Sequence, residues 1–222
     1  MTGGTTEAGA GPTRRERLRA GTLEEIKQAA LGLIAEHGSA NLRFTDIARS
    51  LGMTPPALYR YYADRDELLT ALVADSYDSL SDALTATRDT VAPEDLDARF
   101  LAACTTYRSW AQQYPERFAL IFGSPVPGYA APEDGPTVVA ARRAMEHMVE
   151  LVTATAEFGR LGRPLVPDVT EATMLAWATV HGFVTLESYG HLAALDQPTR
   201  DRLFTAQAGL AARTAGLAPP ET

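Results

Sequence analysis

The chain has one cysteine, Cys104, in 222 residues, so no disulfide can form within it. That usage fits a reducing compartment, and a cytoplasmic location is expected. Charge interrupts every apolar run, and none reaches the ~20 residues needed to cross a bilayer. No membrane partner is therefore expected. Residues 1–21 lack the apolar centre of a secretory signal. Catalytic signatures are missing too. There is no Gly-x-Ser-x-Gly, no phosphate-binding glycine loop and no Glu-x-x-His pair. Four histidines and one cysteine do not fall at zinc-ligand spacing. Metal, cofactor and enzymatic activity are accordingly not expected. No run of alternating residues is bounded by hairpin signals, and nothing repeats at a fixed period.

What is there is apolar content of 45% and a net charge of −8. The charge is unevenly spread. Residues 1–65 hold nine basic and seven acidic residues, a balance of +2, against −10 for residues 66–222. A basic head that meets an anionic partner, followed by an acidic body, fits that split.

The helical period organises the rest. Residues 1–21 are rich in Gly, Thr, Ala and Arg without apolar periodicity. They read as a disordered basic arm carrying Arg14, Arg15, Arg17 and Arg19, suited to phosphates or a minor groove or simply solvated. Thr22 and Glu25 have the spacing of a capping box. Leu23, Ile26, Ala30, Leu33 and Ile34 then share one face, and Gly38 ends the helix. Thr45 is placed to cap a second helix and Gly52 to turn after it. Thr54 is placed to cap a third, with Pro55 and Pro56 at positions where a missing N–H costs little. Asp64 and Glu67 form a second box. Leu68, Leu72, Leu80 and Leu84 stripe a long helix to about Thr87. Further helices are predicted over about 94–113, 115–122, 137–160, 168–190 and 198–216. Residues 123–136, with four prolines and three glycines, read as a loop, either covering a pocket or only connecting.

The expected fold is all-α: a three-helix helix-turn-helix head over 22–68, joined by a long helix to a helical bundle over 69–217. A short tail follows at 218–222. Residues 44–62 read as two short helices on a glycine turn, the second bearing aromatic and basic groups. That is how a recognition helix is presented to a major groove.

The run Thr45-Asp46-Ile47-Ala48, Leu51-Gly52-Met53, Ala57-Leu58-Tyr59-Arg60-Tyr61-Tyr62 and Asp64-Arg65-Asp66-Glu67-Leu68-Leu69 resembles the DNA-binding domain of TetR-family bacterial transcriptional regulators. Residues 176–187, with Trp177 and His181-Gly182, resemble the Trp-His-Gly class of C-terminal domains in that family. The resemblance implies a homodimer on a palindromic double-stranded DNA operator, repressing and released by a small organic ligand. It implies a dimer seam formed by the helices near 168–190 and 198–216. An activator, a ligand-independent regulator or a helical interaction module remain the alternatives.

The resemblance also assigns roles. Tyr59 would bond a DNA phosphate. Thr54, Pro55, Pro56, Arg60 and Tyr61 would face base edges and backbone, with Pro55 suited to a thymine methyl and Arg60 to guanine or phosphate. Arg43, Thr45 and Arg65 would approach phosphates. Gly182 inside a helix costs ~1 kcal/mol against Ala, which predicts a close helix approach there. His181 reads as structural or as a ligand contact. Tyr107, Trp110, Phe118, Phe122, Met145, Met148 and Trp177 are candidates for lining a ligand pocket or for plain core.

Overall fold

The computed structural model describes residues 13–157 and 168–217. Among them are nine α-helices, one 3-10 turn and no strand. The chain divides into two compact units, residues 1–68 and 69–222. The predicted tail at 218–222, residues 1–12 of the arm and the end of the helix predicted over 137–160 lie outside the described residues.

In the first unit, α1 (Arg14–His37) packs on a 3-10 turn (Ser39–Asn41) and on α2 (Phe44–Ser50), which packs on α3 (Pro55–Leu58). The core is Ile26, Ala30, Leu31 and Ile34 of α1, with Leu42, Phe44, Ile47 and Leu58. Helix α1 corrects the sequence reading. It starts well before Thr22, so residues 14–21 are helical, not a disordered arm. The operative capping box is Thr13 and Glu16: Glu16 N–H donates to Thr13 Oγ1 at 3.3 Å, and Thr13 N–H to Glu16 Oε2 at 2.7 Å. Thr22 instead donates its hydroxyl back to the Leu18 carbonyl at 3.1 Å, inside the helix. Both Thr-x-x-Glu pairs match the capping pattern, and the earlier one wins because its two bonds satisfy otherwise orphaned donors.

Helix α4 (Arg65–Arg88) opens in the first unit and continues into the second. Its predicted box is half formed: Glu67 N–H donates to Asp64 Oδ1 at 2.8 Å, but the Glu67 carboxylate accepts from Ala63 N–H, one residue before the cap. In the second unit, α5 (Leu96–Gln113), α6 (Pro115–Phe122), α7 (Pro136–Glu157), α8 (Val169–Ser188) and α9 (Gln197–Thr214) form a bundle. Aspartates cap three of these helices, Asp95 on α5, Asp168 on α8 and Asp196 on α9. The core combines Phe100, Cys104, Trp110 and Phe118 with Val152, Val180, Val184 and Phe204. Ala208, Ala211 and Ala212 of α9 are buried, and α9 packs on α8 and α5.

One buried ion pair ties α5, α8 and α9. Arg108 makes a two-pronged contact with Glu187, Nε to Oε2 at 2.7 Å and Nη2 to Oε1 at 2.6 Å. It also donates to Asp201 at 2.8 Å. Its guanidinium lies over the adjacent rings of Phe183 and Phe204, at 5.6 and 4.7 Å from their centroids. Bonding to Arg108 is the main cause that lowers the Glu187 carboxyl below its ordinary range. Among the described residues no helix is long and apolar enough to cross a membrane.

Candidate functional site

The first candidate site is the outer face of the first unit. Gly52 takes φ +64°, a left-handed turn that glycine adopts without strain, and the chain reverses into α3. Helix α3 is shorter than expected: regular helix ends at Leu58, and Tyr59 to Tyr62 follow as a tight turn. Leu58 anchors it, fully buried. Thr54, Pro55, Pro56, Tyr59 and Arg60 are exposed, and Tyr61 is half-buried. Thr54 is the N-cap residue, but its side chain makes no capping bond; Ala57 N–H bonds the Thr54 carbonyl at 2.9 Å, leaving the hydroxyl for another partner.

Tyr59 is 55% exposed, while its ring packs tilted against that of Phe44 with centroids 5.1 Å apart. Packing therefore aims this phenol without burying it. Thr45 is exposed but does not cap α2. The N-cap position belongs to Arg43, also exposed, and Phe44 is the first helical residue.

Arg65 departs from its predicted role. Its Nε donates to the Leu42 carbonyl at 3.2 Å and its Nη2 to the Ser39 carbonyl at 3.0 Å. It clamps the 3-10 turn to the start of α4, so the protein's own carbonyls already engage this guanidinium.

The first turns of α1 adjoin this face. Arg19 donates to the Arg60 carbonyl at 3.3 Å and stacks over the Tyr61 ring at 5.1 Å. Arg14, Arg15, Leu18, Arg19 and Thr22 line a shallow groove of about 650 Å³ with Arg60 and Tyr61. The basic residues read as a loose arm are thus mounted on a helix beside the turn that follows α3.

The second candidate site is a cavity of about 280 Å³ inside the bundle of the second unit. Five helices supply its wall: Tyr77, Leu80 and Leu84 of α4, Cys104 and Tyr107 of α5, Phe122 of α6, Met145, His147 and Met148 of α7, and Trp177 and Val180 of α8. Five of the sequence candidates meet here: Tyr107, Phe122, Met145, Met148 and Trp177. Trp110 and Phe118 do not. Trp110 is core, its indole N–H donating to Ser79 Oγ at 3.1 Å, and Phe118 is fully buried in core. The 123–136 loop supplies none of the lining; Tyr129 pins it through a hydroxyl contact to Thr70 at 3.1 Å, and Val126 is buried.

His181 stands behind the wall, stacked on Trp177 at 4.6 Å between ring centroids. Burial raises the Tyr107 hydroxyl pKa, so the phenol stays protonated, and its oxygen is hydrogen-bonded with His181 Nδ1 at 2.7 Å. The other ring nitrogen, Nε2, faces Thr185 Oγ1 at 3.3 Å. Burial also lowers the His181 pKa, so the ring is a neutral link between α5 and α8.

Sequence reasoning missed Tyr77 and His147. Ser81 and Thr85 hydroxyls lie 3.1 and 3.3 Å from His147 Nε2. Thr85 donates its own hydrogen to the Ser81 carbonyl at 2.9 Å, which leaves its oxygen to accept from His147 Nε2 when that nitrogen carries the ring proton. Burial, then the Arg88 charge, lowers the pKa of this imidazole. Two hydroxyls one helical turn apart on α4 were the available signal. Among the described residues nothing lies within 4 Å of where a Gly182 Cβ would stand, so the expected close helix approach does not occur among them. Among the described residues no group of His, Cys, Asp and Glu is placed to hold a metal.

Residues 26–72 match the family model described as bacterial regulatory proteins, tetR family, and residues 100–210 match tetracyclin repressor-like, C-terminal domain. The chain is similar to the HTH-type transcriptional regulator Mb1846 of Mycobacterium bovis, with 34% identity covering 81% of this chain and 84% of that protein. Among solved structures it is similar to the regulatory protein SCO4313, with 33% identity, a TM-score of 0.74, and 90% and 98% of the two chains covered. A protein of unknown function from Rhodococcus sp. RHA1 gives 28% identity and a TM-score of 0.73 over 94% of this chain and all of that one. With a helix-turn-helix head at one end and a cavity-bearing helical unit at the other, the chain belongs to the TetR family of transcriptional regulators.

Proposed function

We propose that the protein acts as a homodimeric repressor on a palindromic operator and is released by a small organic ligand held in the second unit. The observation that carries this reading is a pair of apolar stripes on adjacent helices. On α8, Leu175, Ala178, Gly182 and Leu186 are exposed at helical spacing; on α9, Leu203, Ala206 and Leu210 are exposed likewise. Such stripes on two helices that already pack together fit a two-fold seam of four helices. A dimer would carry two reading heads for two half-sites.

At each half-site Thr54, Pro55, Pro56 and Arg60 would meet base edges, while Tyr59, Arg43 and Thr45 would bond phosphates. The inner cavity is apolar with a few polar groups, as small-molecule sites are. A ligand that binds better to a body conformation with the heads misplaced for adjacent grooves lowers operator affinity by that difference alone.

The test is selection of bound sequences from a random DNA pool at near-physiological salt, using the full chain. A palindromic consensus is the expected result. A non-palindromic consensus would refute the dimeric operator, and no enrichment by a folded protein would move it towards an interaction module.

A further inference from the structure

The inner cavity adjoins a second one of about 190 Å³, and Leu84, Ala103 and His147 line both. The two differ in character. The inner lobe presents no charge. Its Tyr107 hydroxyl is engaged by His181, burial pushes the Cys104 thiol up to about 12, and His147 is held neutral by its surroundings. An ion placed there would be desolvated without a partner, which is costly. The outer lobe carries Arg88, Arg99 and Glu150, two cations against one anion. Asp89, outside the lining, also pairs with Arg88 at 3.3 Å, so the mouth is charged but balanced and offers an ion the charged partners that the inner lobe lacks.

The two arginines differ in freedom. Arg99 is fixed: it donates to the Val91 carbonyl at 3.3 and 3.1 Å and to the Arg88 carbonyl at 3.5 Å, closing the end of α4. Arg88 is loosely held, 3.3 Å from Asp89 and 3.5 Å from Glu150, with its side chain 39% exposed. It can turn to a new anion with little loss.

We propose that the two lobes form one site for an amphipathic organic monoanion, its apolar body among Tyr77, Phe122, Met148 and Trp177 and its carboxylate at Arg88. The assignment rests on the reading of this unit as ligand-binding and names the class of ligand. His147, held by Ser81 and Thr85, marks the waist where the apolar part gives way to the polar head. Glu150 is the competitor that a bound carboxylate displaces from Arg88. Together the lobes fall in the range of roughly 300–1,000 Å³ typical of small-molecule sites.

The test is calorimetric titration of the full chain with three probes sharing one alkyl length: decanoate, 1-decanol and decyltrimethylammonium, each below micelle formation. Decanoate should bind at least about tenfold more tightly than either of the others, the scale of one charge-assisted hydrogen bond. Arg88→Gln should weaken decanoate by about tenfold and leave decanol within about twofold. Glu150→Gln should tighten decanoate, because it removes one of the two carboxylates that hold Arg88. That gain of affinity cannot arise from misfolding. Equal binding of acid and alcohol, binding insensitive to both substitutions, or no binding of any probe would overturn the assignment. Operator affinity measured beside the titration separates the two readings. Arg88-dependent decanoate binding that leaves operator affinity unchanged keeps this site and refutes ligand release. Release by a ligand that ignores Arg88 does the reverse.

Discussion

Gly182→Ala separates the stability of the protomer from that of the dimer. Gly182 is exposed inside α8, and an added Cβ meets nothing within 4 Å among the described residues. Within the protomer the change is favourable. Alanine gains about 0.8–1 kcal/mol over glycine in a helix interior, so the isolated chain should be stabilised. In the proposed dimer the same methyl enters a packed seam. Overpacking costs about 1–3 kcal/mol per site, and an isologous interface contains the site twice. A total near 2 kcal/mol would raise the dimer dissociation constant by roughly 30-fold. Sedimentation across a concentration series reads dissociation, and urea denaturation at the lowest concentration reads the protomer. The two effects should have opposite signs. If Gly182→Ala and the bulkier Gly182→Leu both leave dissociation unchanged, Gly182 does not lie in the seam and the four-helix arrangement is wrong there.

Removing one partner of the buried pair, by Arg108→Met or Glu187→Leu alone, should cost about 3–5 kcal/mol, because the other charge is left buried; the double variant should recover much of that loss, and a double-mutant cycle by urea denaturation checks it. Replacing Arg14 and Arg15 with Gln should weaken DNA binding and flatten the plot of log affinity against log salt by about 0.9 per lost phosphate contact; an unchanged slope would show that the groove beside Arg60 stays clear of DNA. Burial holds the pKa values of His147 and His181 below the ordinary 6.5. Below that value the unfolded chain binds more protons than the folded one, so their stability contribution is full above pH 6.5 and is lost as the pH falls beneath it. Melting temperature should therefore hold between pH 8 and 7 and drop towards pH 5, and a His147→Gln, His181→Gln variant should show a shallower drop.

The parts legible in the sequence are those fixed by local chemistry. Helix α6 was predicted over the residues it occupies, because Pro115 opens it and Gly123 follows its last residue. The start of α1 was misplaced because two Thr-x-x-Glu pairs compete and residues 14–21 have no apolar stripe to break the tie. Arg65 misled for a related reason. A basic residue opening a helix looks like an anion contact, and only the folded chain shows that three carbonyls of the preceding turn already claim it. The pocket was half legible. Aromatic and Met residues at helical spacing mark an apolar interior, but which of them face a cavity depends on where five helices part. That geometry sends Trp110 and Phe118 into core, sets His181 behind the wall and brings His147 to the waist.

Helix α8 is where the cavity and the proposed seam come closest in sequence. Trp177 and Val180 line the cavity, while Ala178 and Gly182 stand exposed on the same turns. At roughly 100° per residue, these sets point to different sides of one helix. His181 fixes the cavity side, through the Trp177 stack and the Tyr107 bond. A body that displaces Trp177 must then disturb either this link or the helix that carries it. Because interiors are close-packed, such a displacement is passed on, not absorbed. The Arg108–Glu187 pair holds the far end of α8 against α5 and α9, so the permitted response is a tilt about that anchor. On this reasoning His181→Phe, which keeps the ring but not the bond, should leave the fold intact and weaken the dependence of operator affinity on ligand. Unaltered ligand response in that variant would mean that any signal leaves the cavity through α4 or α7 instead.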